Sequence, residues 1–136
     1  MSGGAAAVAA ARSAVGARFR LHGRDPAEGL DCVGLAALAL RAEGYAGEVP
    51  SGYALRSGDA ALVSARLDAL GLMRARDMRA GDLLLCQPGP GHLHFAIRDV
   101  DGVIHADAML RRVVARPGPV PWPVIAAWRT SPMLSE

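Results

Sequence analysis

Apolar positions change their period partway along the chain. Before Gly81 they recur every three to four residues over Ala5 to Val15, over Cys32 to Glu43 and over Ala60 to Leu70. This spacing predicts three helices. Leu35, Leu38 and Ala39 recur on the buried face of the second, and Leu62, Leu67 and Leu70 share a stripe in the third. Asp31 is an N-cap residue type before the second helix, and Gly44 and Gly71 stand where helices stop. After Gly81 the runs shorten to "DLLLC", "HLHFAIRDV", "VIHAD", "RRVVA" and "VIAAW", separated by "PGPG", "DG" and "PGPVPWP". Such runs predict strands joined by turns. Helices followed by strands predict an α+β fold with the helices packed on an antiparallel sheet. With no repeat and no long linker, residues 1–136 are expected to form a single domain.

Composition removes several function classes. The formal net charge is +2, and all 15 basic residues are arginine. Without a concentrated basic face the sequence gives no footprint for nucleic acid. No run approaches the roughly 18 apolar residues of a membrane span. The opening "MSGGAAAVAAARSAVG" lacks the charged start and the leucine- or valine-rich core of a secretory signal. It reads as a first helix, so the protein is expected to be synthesised in the cytoplasm without a cleaved signal peptide.

Two cysteines make no disulfide framework, and their settings differ. Cys86 ends a strand-like apolar run and reads as a small buried hydrophobe. Cys32 begins a helix, where backbone N–H groups carry partial positive charge that favours thiolate. One inert thiol and one activated thiol are therefore expected, against the alternative that Cys32 merely packs at the helix start.

Cysteine chemistry also needs a base and a group that orients it. The segment "HFAIRDVDGVIHA" carries His94 and His105 on either side of a turn signal. With a four-residue loop over Asp99 to Gly102, Arg98 pairs with Val103. The two histidines then share a face one diagonal step apart, at roughly 7–8 Å between Cα atoms. With a tight Asp101-Gly102 turn they lie about 13 Å apart along the strand. A working pair requires the longer loop. His92 alternates with His94, so His92, His94, His105 and Cys32 make an alternative zinc set.

"GRDPAEGLDCVGL", then "AGDLLL", then "HFAI" and "IHA" resemble the NlpC/p60 family of cell-wall cysteine peptidases. The resemblance implies a papain-like α+β core with Cys32 as nucleophile, His94 as base and His105 as the orienting residue. It implies no cofactor and no metal. The implied substrate is a peptidoglycan stem peptide, cut at a γ-D-glutamyl to diaminopimelate type of bond. "WPVIAAWR" is similar to the ending of small phage-encoded members, which implies phage-tail-like structural proteins as partners and a phage-like or gene-transfer particle as the carrier to the wall.

The substrate side departs from the family pattern. Phe19 stands where most members have a tyrosine whose hydroxyl helps bind substrate and oxyanion, leaving His22 as a substitute donor or a surface residue. Val33 replaces a serine that helps hold a free amine. Asp31 is an N-cap first and an amine contact second. "QPGPGH" is a candidate rim loop, and Arg111 and Arg112 read as a solvated strand end or a contact for a carboxylate-rich peptide. These departures favour a second function class, a tail-assembly or wall-binding module with weakened catalysis. An acyltransferase or amidase would share the same triad.

Overall fold

The computed structural model describes residues 4–47, 49, 55 and 57–130. The three periodic segments form helices α1 (Ala5–Ser13), α2 (Cys32–Ala42) and α3 (Ala60–Ala69). Between α1 and α2, strands β1 (Arg24–Asp25) and β2 (Gly29–Leu30) pair as a small antiparallel hairpin. After α3 come β3 (Met73–Arg74), β4 (Leu83–Gly89), β5 (His92–Arg98), β6 (Gly102–Asp107), β7 (Arg112–Pro117) and β8 (Val124–Arg129). They form one antiparallel sheet in the order β3-β8-β4-β5-β6-β7. The expected α+β architecture is present. The three strands absent from the sequence reading have two residues each, too few for alternation to register.

Alternation along the strands sorts the sheet into two faces. Leu83, Leu85, Phe95, Ile97 and Ile104 pack toward Ala7 and Ala11 of α1 and Leu35, Ala36 and Ala39 of α2. Leu84, Cys86, Ala96, Val103 and Ala127 make a smaller cluster on the other face, against Trp122 and Val124. Coverage of both faces explains why "LLLC" is continuously apolar.

Three carboxylates tie separate elements together, one of them across the layers. Glu43, just past α2, accepts from the Ala7 N–H at 2.8 Å and satisfies an open donor in the first turn of α1. Asp82, before β4, takes a two-pronged contact from Arg129 at the end of β8 at 2.7 and 3.0 Å. Asp99 receives the Arg12 guanidinium of α1 at 2.7 and 3.1 Å and also accepts from the Val100 N–H. This last contact fixes the β5–β6 turn, in which the Asp99 N–H donates to the Gly102 carbonyl at 2.8 Å. The register is Ile97 with Ile104 and Arg98 with Val103, that of the longer loop.

Gly34, in the third position of α2, shows why a glycine follows the cysteine so closely. An added Cβ would run into the carbonyl oxygen of Gly23, a backbone atom of the loop before β1. Gly34→Ala is expected to cost about 1–3 kcal/mol in urea unfolding. Gly89→Ala, where nothing lies within 4 Å, should stay within about 0.5 kcal/mol of the parent.

Candidate active site

The β1–β2 hairpin delivers Asp31 to the start of α2. One oxygen of Asp31 accepts from the Gly34 N–H at 2.8 Å and from Arg24 at 3.0 Å, and the other accepts from the His22 N–H at 2.8 Å. The buried carboxylate thus caps α2, fastens the preceding loop and pairs with a guanidinium. Its role as N-cap is filled, and Cys32 becomes the first helical residue.

The expected fall in the Cys32 pKa does not occur. The residue is only partly buried by area, yet the thiol is pushed up to about 11, chiefly by removal from water. Hydrogen bonding from the Phe95 backbone works against the rise, the nearby Asp31 charge adds to it, and the Cys32 and Val33 backbone pulls it down again. Desolvation therefore outweighs the helix terminus. Cys86 is fully buried as expected, with its thiol pushed up to about 12 by burial.

His94 on β5 and His105 on β6 meet as the longer loop requires. His94 Nε2 and His105 Nδ1 are 3.1 Å apart. The rings stand edge to face with centroids 5.2 Å apart. Trp122, from the loop before β8, sits edge to face against both, at 5.3 Å from His94 and 4.8 Å from His105. Burial first, then His105 and His92, push the His94 pKa down to about 4. His105 is also lowered, chiefly by burial and against the pull of Asp107. Both imidazoles are consequently neutral near pH 7. For His94 Nδ1 to accept a proton, Nε2 must carry one and donate it to His105 Nδ1, which places the His105 proton on Nε2.

A cleft of about 490 Å³ brings Cys32, His94 and His105 onto one surface. Phe19, Asp31 and Val33 line it, whereas His22 is exposed and is not among its lining residues. Of the two readings of His22, the exposed ring fits that of a surface residue, and its backbone N–H serves the site through Asp31. Pro88 and Gly91 line the cleft, as the rim reading of "QPGPGH" expects. Among the described residues no three His, Cys, Asp or Glu side chains are grouped to hold a metal ion, so the zinc set of Cys32, His92, His94 and His105 is not assembled. Trp122, Arg24 and Asp107 escaped the sequence reading. The first stands in a proline-rich stretch that reads only as a turn, and the other two act through contacts that tertiary structure creates.

Two measurements check these electrostatics. In a Cys86→Ser background, alkylation of Cys32 by iodoacetamide should keep accelerating as pH rises toward about 11, with no plateau near neutrality. A folded-state His94 pKa of about 4, below the ordinary 6.5, means that the unfolded chain takes up protons first on acidification. The melting temperature should therefore fall as pH drops from about 6.5 toward about 4, and His94→Gln should flatten that slope.

The sequence matches no protein-family model and no curated protein. Among solved structures it is similar to the NlpC/p60 domain of the peptidoglycan hydrolase SagA, with TM-score 0.58 and 25% identity. The match covers 93% of this chain and 98% of that one. The mixed α/β architecture, with helices on an antiparallel sheet, is thus the papain-like fold of that NlpC/p60 neighbour.

Proposed function

We propose that this protein is an NlpC/p60-type cysteine peptidase that hydrolyses peptidoglycan stem peptides at a γ-D-glutamyl to diaminopimelate type of bond. The observation that carries the proposal is the 3.1 Å His94–His105 contact on the cleft that also holds Cys32, within a fold shared with a peptidoglycan hydrolase domain. Thiol and imidazole are both neutral at rest, so the thiol proton moves to His94 Nδ1 during attack rather than before it. The sulfur bonds to the amide carbonyl carbon, and the backbone N–H of Cys32 meets the oxyanion at the helix terminus. His94 returns the proton to the leaving amine. Water, deprotonated by His94, then releases the acyl group from sulfur and restores the thiol. His105 and Trp122 hold the base in its tautomer and orientation. No cofactor enters this scheme. Carriage to the wall in a phage-tail-like particle belongs to the same reading, supported by the resemblance of the Trp122–Arg129 ending.

A second reading, a wall-binding or assembly module with feeble catalysis, is favoured by two observations. Phe19 brings no hydroxyl to the cleft, and desolvation holds the thiol protonated.

Digestion of purified muropeptides, followed by amine release and mass spectrometry, separates the two. The proposal expects a new diaminopimelate amine, its absence with Cys32→Ala, and a rate about 10²–10⁴-fold lower with His94→Ala. Wall binding without amine release would establish the module instead. Acyl transfer to an added amine in preference to water would point to an acyltransferase.

A further inference from the structure

The cleft contains no arginine or lysine among its lining residues, and the ionised groups it does contain, Asp31 and Asp107, are carboxylates. Stem peptides of the wall carry free carboxylates, so their charges must be met elsewhere. Two walls of the cleft lead directly to candidates. Phe19 and Leu21 line it, with exposed Arg18 and Arg20 alternating between them. Ala106 to Met109 line the facing wall, and the chain then continues into exposed Arg111 and Arg112.

The backbone brings these arginines together. Arg18 bridges directly to Arg112 in an antiparallel pair, which puts their side chains on one side, and the Phe19 N–H donates to the Arg111 carbonyl at 2.8 Å. Arg20 Cβ and Arg18 Cγ both lie beside Gly29, where an added Cβ would meet them. Among the described residues none of the four guanidinium groups enters an ion pair; those pairs use Arg12, Arg24, Arg74, Arg79 and Arg129. Asp107 stands opposite Arg112 in the β6–β7 ladder, but its Oδ1 accepts from the Met109 and Leu110 N–H groups. Like charges facing one another across strands oppose folding, so stability gives no reason for this arrangement.

We propose that Arg18, Arg20 and Arg112, with Arg111 beside them, form a carboxylate-binding ridge that holds the charged part of a peptidoglycan stem peptide outside the cleft. The occupant rests on the peptidase reading; the ridge itself rests on the geometry. The guanidinium fork suits carboxylates, and Arg18 and Arg20 flank in sequence the Phe19 that lines the cleft.

The test is retention of the Cys32→Ala protein on purified sacculi stripped of phosphodiester polymers. Retention should weaken as salt is raised, and Arg18→Glu with Arg112→Glu should reduce it about tenfold or more at low salt. Arg18→Gln with Arg112→Gln should fall between, with each variant melting like its parent. Sacculi whose carboxyls have been converted to neutral amides should not be held. Equal retention of the charge-reversed protein, or equal retention on amidated sacculi, would overturn the ridge. Muropeptide cleavage, assayed separately with Cys32 intact, distinguishes the two failures: retention without cleavage sinks the peptidase, and cleavage with unaltered retention sinks the ridge.

Discussion

The buried carboxylate of Asp31 is the constraint around which the site is arranged. A charge removed from water is tolerable only when its oxygens are met by donors, and Asp31 gathers three, from Gly34, His22 and Arg24. Each belongs to a different piece of the site: the helix, the loop before the hairpin and the hairpin itself. Satisfying one side chain therefore fixes where α2 begins, and with it where the sulfur lies. The same charge raises the thiol pKa, so the group that positions Cys32 also helps to keep it protonated.

The imidazole pair shows the converse use of burial. A base must be neutral to accept a proton, and desolvation beneath Trp122 lowers both imidazoles, His94 to about 4, so that each is neutral at physiological pH. Burial acts in opposite senses on the two partners, disfavouring the charged form of each. A preformed thiolate–imidazolium pair is thereby replaced by two neutral groups. In the mechanism proposed above, charge develops only when a substrate carbonyl is present.

Much of this was legible in the sequence, because it depends on local periodicity. The change of period at Gly81, the cap at Asp31 and the turn over Asp99 to Gly102 gave the helices, the main strands and the shared face of His94 and His105. The direction of the Cys32 shift was not legible. Helix position is a local property, whereas desolvation depends on how the rest of the chain packs over the thiol. The contact of Trp122 with both imidazoles was hidden for a similar reason, since a tryptophan among prolines shows no pattern that points to its partners. The backbone contribution of His22 was hidden as well, because a main-chain N–H leaves no mark in the residue type.

The position of β8 has a consequence for how the protein comes into being. The last of the described strands is not added at an edge; it inserts between β3 and β4, and Trp122 arrives on the loop just before it. While the chain is being made, the cysteine helix and both histidine strands precede the element that closes the sheet and braces the two imidazoles. A shorter chain ending before Val124 would hold Cys32, His94 and His105 but leave β3 without its partner and an edge of β4 open. Closure of the sheet and bracing of the two imidazoles therefore wait on β8 and the loop that leads into it.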